Sequence, residues 1–479
     1  MDSSSTTPAA ELWLYRLLAG VVILSAVLAL YTEIYPLAAT PLVLMGILLV
    51  IKDIRYVYYG FFALLPLSVE VQLGALGTDL PSEPLMLLLT GIAFVLFLQR
   101  LKDIPRRIVY HPISALLIIH LGWILVTAIF STDLVISLKF WLAKIWYVVP
   151  FYFLTFYMLA SKADILKLYR LAVYPLLAVV VIVIARHAMV GFTFDTSNEV
   201  VYPIFRNHVT YAAIMVTVLP YLWTLWSKEK YKWQLAAILV LAIGTYFSYT
   251  RAAHLCLFIM AGAYYVVRYR LARHAVLASS IGAMLLVVYL VQDNNYLDFA
   301  PDFEKTITHD DFGNLVEATY KLEDISTMER VYRWVAGGYM IAEKPIIGYG
   351  PNTFYHNYTK FTISSFETYV SDNPEKSGVH CYYLMTWIEQ GIIGLLIFLS
   401  ICICIILIGE QTYHRLTDPT SKAIVMASIL SIISILALQL INDLIETDKI
   451  GPFFFLNAAV IVKYALESRR DSRSTSTLH

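Results

Sequence analysis

A chain of 479 residues that is 59% hydrophobic and 15% charged, with no formal net charge and a mean hydropathy of +0.67, is too apolar for a soluble globule of its size. The composition excludes an ordinary soluble enzyme, and no nucleic-acid partner is expected. It predicts an all-α polytopic membrane protein.

A bilayer core about 30 Å thick needs roughly 20 apolar residues per helix, and the chain offers about fourteen such runs, with twelve as the lower bound. They fall at 12–31, 34–51, 56–74, 83–99, 110–131, 137–160, 165–190, 208–227, 231–249, 252–269, 272–291, 380–409, 421–442 and 450–466. Pro66 and Glu70 make the third the weakest. Basic residues such as Lys52, Arg100, Lys162, Lys228, Arg268, Arg415 and Arg469 fall in alternate connections or the C-terminal tail. By the positive-inside rule both termini are then cytoplasmic, and residues 292–379 form one large outer loop. The expected organisation is a single transmembrane domain over 1–479 with that loop, carrying short helices, inside it. The first residues lack a basic stretch, so no cleavable signal is expected. Cys256, Cys402 and Cys404 lie inside helices and Cys381 at a helix mouth, which suits small buried residues rather than a disulfide framework or a metal site.

Taken in order, the first unusual charges are Lys139 and Lys144, which enter an apolar segment. An intramembrane cation faces a cavity or a partner, or snorkels to the surface. Arg186, His187, Arg206 and His208 then gather in one outer connection, as either lipid-phosphate anchors or part of a site for a phosphorylated lipid. Arg251 follows at the outer start of a helix, where free N–H groups and the dipole favour an anion, with His254 sharing its face.

The loop carries fourteen acids against seven Lys and Arg, so any phosphate contact in it has to be local. Ser326 and Glu329 read as a capping box and Pro345 as a stop, which predicts a helix between them. Arg330, Arg333 and Trp334 share a face of that helix. Gly348, Gly350 and Pro351 mark an irregular turn that is no nucleotide fingerprint, and the aromatics after it, Tyr355 among them, suit either sugar stacking or packing. His380 closes the loop at the start of the next helix, where the helix dipole would keep its imidazole neutral and able to take a proton.

These residues resemble the O-antigen ligase and O-antigen polymerase superfamily. The resemblance rests on SYTRAAHLCL, on ERVYRW with EKPIIGYGPNTF, and on VHCYYLMTWIEQGIIGLLIF, across roughly residues 200–410. It implies a GT-C-like fold and a periplasmic site in the bacterial inner membrane. It also implies a metal-independent, inverting glycosyltransferase with no cofactor. Its substrates would be an undecaprenyl-pyrophosphate-linked glycan and an acceptor, either lipid A core or a second lipid-linked glycan, within the membrane lipids. By position, Arg251, Arg330 and His380 are the implied catalytic residues. Arg186, Arg206, Arg333, Lys139, Lys144, His254, Trp334 and Tyr355 are the candidates for holding pyrophosphate or glycan. Cys381 stands where Asn is usual, and Ala252 where Gly is common. Ligase is slightly preferred over polymerase, with protein O-glycosylation a third possibility. A lipid-linked glycan flippase is the non-enzyme rival, which would predict two repeated halves.

Overall fold

The computed structural model describes residues 16–17, 20–21, 23–25, 52–73, 76–99, 105–299, 325–367, 371, 373 and 376–476. The expected helix 34–51 and most of 12–31 lie outside these residues. Residues 1–61 and 62–479 form two compact units, and the second holds nearly all of the described helices.

Eight helices among the described residues are long and apolar enough to cross a membrane, and two shorter apolar helices accompany them. The principal helices are α1 (Ile54–Leu64), α2 (Ser82–Gln99), α3 (Pro112–Ile129), α4 (Leu134–Val148), α5 (Lys162–Met189), α6 (His208–Glu229), α7 (Lys232–Tyr246), α8 (Arg251–Arg268), α9 (Ala272–Val291), α10 (Ile325–Glu343), α11 (Tyr382–Arg415), α12 (Pro419–Leu438) and α13 (Gly451–Ser476). The all-α membrane architecture is thus as expected. Local chemistry sets several starts: Asp133 accepts the N–H groups of Val135 and Ile136, Asn207 that of Thr210, and Asp418 that of Ser421 behind Pro419.

The expected helix 56–74 is a correction. The helix stops at Leu64, the chain turns through Leu65–Leu67, and an antiparallel hairpin follows, β1 (Val69–Leu73) with β2 (Leu76–Leu80). Pro66 removes a backbone donor and ends the helix, and at the turn the carbonyls of Leu65 and Ser68 accept from the buried ammonium of Lys449, at 3.1 and 2.7 Å.

Helix α12 is the centre of the bundle, packing on α6, α8, α11 and α13. Small side chains allow the close approach: Ser428, Ser431 and Ser434 are buried, Asn457 donates to Ser431 at 2.9 Å, and Cys256 donates to the Ser434 carbonyl. By contrast, the membrane-length stretch of α9 buries none of its residues against the described part of the protein.

Helix α11 is two half-helices. Gly391 has φ +69° and ψ −178°, a conformation that is essentially glycine's alone. The turn 345–351 threads into the break. Tyr349 and Gly350 donate their N–H groups to the carbonyls of Ile388 and Glu389 at 3.0 and 2.9 Å, and Trp123 donates to that of Gln390 at 2.9 Å. Ile392 donates back to Pro345 at 2.9 Å. Carbonyls orphaned by the break are therefore paired, as a membrane interior demands. The Glu389 carboxylate completes the joint by accepting from the N–H groups of Asn352 and Phe354 at 2.8 and 3.1 Å.

Candidate active site

Segments expected on one side of the membrane gather at one end of the bundle. The α3–α4 turn meets the glycine turn where Thr132 donates to the Tyr349 carbonyl at 2.9 Å. Ser137 donates to the Pro351 carbonyl at 2.7 Å. Thr250, just before α8, donates to the His208 carbonyl at the start of α6. The first turn of α11 is held by the α12–α13 connection, since the Tyr382 N–H reaches the carbonyls of Gln439 and Asn442 at 2.9 and 3.1 Å.

His380 stands two residues before Tyr382. Helix α10 clamps the two residues before His380: Arg333 donates to the Gly378 carbonyl at 3.3 Å and Trp334 to the Val379 carbonyl at 3.0 Å. With Tyr382 fixed on the other side, the backbone of His380 is held at φ +55°, a left-handed conformation that costs energy in a non-glycine residue. The ring comes to rest with Nδ1 4.0 Å from a carboxylate oxygen of Asp443. A Cβ added to Gly378 would stand 2.7 Å from the other oxygen of that carboxylate, so the two strands meet closely.

The electrostatics differ from the sequence expectation. His380 does not open the helix; it precedes Cys381, and α11 begins at Tyr382. Its imidazole is pushed down to about 3 first by burial and then by the Arg330 and Arg333 guanidiniums. The folded pKa lies below the unfolded value of 6.5, so between the two the unfolded chain takes the proton and the folded site does not. Stability of the ligand-free protein is therefore expected to fall as pH drops below 6.5 toward 3, and His380→Phe should flatten that part of a thermal-unfolding pH profile. Burial pushes the Asp443 carboxyl up, while Arg333 and Arg330 act against the rise.

Arg330 is half-buried on α10 and acts electrostatically on His380, His208 and Asp443 alike. Arg251 is the first residue of α8, half-buried, one position after the Thr250 that joins that helix to His208. Arg330 thus acts on both His208 and His380, and Arg251 adjoins the residue that bonds His208.

Residues 235–399 match the O-antigen ligase family. The resemblance read from the sequence holds over that segment, which runs from α7 to beyond the break in α11. No curated protein matches the chain. Within the O-antigen ligase segment lie Arg251, Arg330, the glycine turn, His380 and Gly391. Outside it lie Asp443, His208 and Lys144.

Most of the remaining candidates bond to other groups of the protein. Arg333 is 5% exposed and pairs with Glu329 at 3.4 Å, so it braces α10 against the loop. Glu329 also accepts from Ser371 at 3.0 Å, so its carboxylate ties α10 to the loop, and Ser326 is already inside the helix rather than preceding it. Trp334 does the same bracing through Val379. Lys144 is a clear correction to the snorkelling alternative: it is 3% exposed and pairs with Glu446, while Tyr382 bonds both partners, at 3.1 Å to Lys144 and 2.6 Å to Glu446. Lys139 is exposed on α4. Arg186 donates to the carbonyls of Tyr202 and Glu199 at 2.7 and 3.1 Å, securing its own connection. His254 Nε2 lies 2.9 and 3.2 Å from the carbonyls of Thr245 and Tyr246 at the end of α7. Arg206 bridges Glu70 at 3.0 Å and Asp79 at 3.5 Å beside a cavity of about 160 Å³ also lined by Glu83, Glu446 and Asp448. Those acids make an anionic ligand unfavourable there. Tyr355 packs against Tyr358, ring centroids 6.2 Å apart.

Cys381 has the extended backbone of an N-cap, φ −156° and ψ 105°, with no side-chain cap bond. Cys381→Asn supplies the missing acceptor and is expected to raise stability by about 1 kcal/mol, measured by thermal unfolding in detergent.

Proposed function

We propose that the chain is an inner-membrane glycosyltransferase of GT-C type whose site at this end of the bundle faces the periplasm. It moves a glycan from an undecaprenyl-pyrophosphate donor to an acceptor sugar, with lipid A core as the preferred acceptor. The observation that carries the reading is the placement of His380 against Asp443 with Arg330 alongside.

In this reading the acceptor hydroxyl oxygen attacks the anomeric carbon as the bond from that carbon to the pyrophosphate oxygen breaks, with inversion. The hydroxyl proton passes to His380, whose Nδ1 side faces Asp443, leaving Nε2 to receive it. The pair of electrons leaves with the lipid pyrophosphate, whose growing charge Arg330 and Arg251 stabilise. Before donor binds, burial and the Arg330 and Arg333 guanidiniums hold His380 neutral. Bound pyrophosphate offsets the arginine charge and Asp443 favours the imidazolium, so the ring gains basicity when donor is present. Charge stabilisation by guanidinium groups assigns no step to a metal, and full activity in the presence of a chelator is expected.

The test is incubation of purified protein with lipid-linked glycan and either lipid A core or a second lipid-linked glycan. Extension of lipid A core supports the ligase reading. Extension of the second lipid-linked glycan alone makes the protein a polymerase. Transfer to neither, in protein shown to be folded, contradicts the proposal.

A further inference from the structure

At the end of the bundle away from His380, a groove of about 690 Å³ opens between α6 and α8, floored by α12. Helix α8 runs to it from Arg251, and α12 runs from it toward Asp443. Its walls are aliphatic and aromatic, with Trp223 and Tyr265 exposed at the rim and Met260 and Met426 buried deeper. Lys422 stands at its mouth, its ammonium 5.6 Å from the centre of the Tyr413 ring. Tyr264 on the wall accepts from the Arg268 guanidinium at 2.9 Å. Among the described residues that line it there is no acid, and nearby Asp418 is engaged with Lys162 at 3.0 Å and with the start of α12.

We propose that this groove is a binding site for an anionic phospholipid of the surrounding bilayer. The acyl chain lies along the aromatic walls, and the phosphate meets Lys422 and Arg268. The choice of occupant follows from charge and setting. The flanking helices α6 and α12 are long and apolar enough to cross a membrane, which makes a bilayer lipid the occupant that fits an apolar opening between them. Two cations at one end of an otherwise apolar trough fit a single negative headgroup above a chain. The site is separate from the transfer chemistry and does not depend on it.

The experiment is native mass spectrometry of the full chain in detergent, titrated with phosphatidylglycerol or with phosphatidylethanolamine of the same acyl composition. Phosphatidylglycerol should bind about tenfold more tightly, from the two cation contacts. Lys422→Gln/Arg268→Gln should bring it to the level of phosphatidylethanolamine, with an unchanged unfolding temperature. Ala261→Phe, placed on the exposed wall, should weaken both lipids. A phosphatidylglycerol carrying a photoreactive acyl chain should label peptides from α6 and α8. Equal binding of both lipids, a preference that survives the double substitution, or labelling elsewhere would overturn the proposal.

Discussion

Gly391→Ala is expected to destabilise the protein by about 3 kcal/mol or more and to abolish activity with it. Two independent costs add. The backbone at φ +69° and ψ −178° excludes side chains, and an added Cβ would stand 1.9 Å from the Ile346 carbonyl oxygen and 2.6 Å from the Ile347 nitrogen. Neither neighbour can swing aside, because both belong to the main chain of the inserted turn. Relief requires withdrawing that turn, which would leave the carbonyls of Ile388 and Glu389 without their partners inside the bundle. Gly350→Ala should behave alike, since its Cβ would fall 2.0 Å from the Ser131 hydroxyl oxygen. Thermal unfolding in detergent reads both, and a near-native midpoint for Gly391→Ala would show that the break in α11 is not needed.

Lys144→Met is the second large effect, a loss of about 3 kcal/mol. Removing the ammonium leaves the Glu446 carboxylate with only the Tyr382 hydroxyl from this network, in a largely desolvated position. The double variant Lys144→Met/Glu446→Gln should recover most of the loss, because the isolated charge is gone. The consequence reaches the site: Tyr382 follows His380 by two residues, and Glu446 follows Asp443 by three. Loosening this network should lower transfer even in the fraction that stays folded. If Lys144→Met is as stable as the parent and the double variant is no better, the pair contributes nothing.

The residues proposed for the site were singled out in the sequence for a definite reason. Arg251 stands out as a cation at a helix start, Arg330 within the loop helix and His380 at the end of the loop, in three motif segments that follow one another along the chain. The glycine turn was visible as irregular backbone, but its insertion into α11 was not. That joint is made of main-chain bonds between residues about forty apart, and no side-chain pattern encodes it. Glu389 was visible only as part of a motif; its task of holding the N–H groups of Asn352 and Phe354 needed the fold. Asp443 and Glu446 read as ordinary outer acids, since their partners His380 and Lys144 are far away in sequence. The same distance made Lys144 and Arg206 look like free cations for a substrate when each already has a carboxylate. Residues 56–74 misled in the opposite direction: their apolar content suited a span, but Pro66 and the paired acids Glu70 and Asp79 make a hairpin held by Arg206.

The most direct measurement of the central claim is glycan transfer by purified Arg251→Ala, Arg330→Ala and His380→Ala proteins, each matched to the parent in unfolding temperature. Loss of about a hundredfold or more in every variant is the expected result, with Asp443→Asn showing a smaller loss and a displaced pH profile. Parental rates in all three alanine variants would contradict the assignment of this cluster as the place where the glycan is moved.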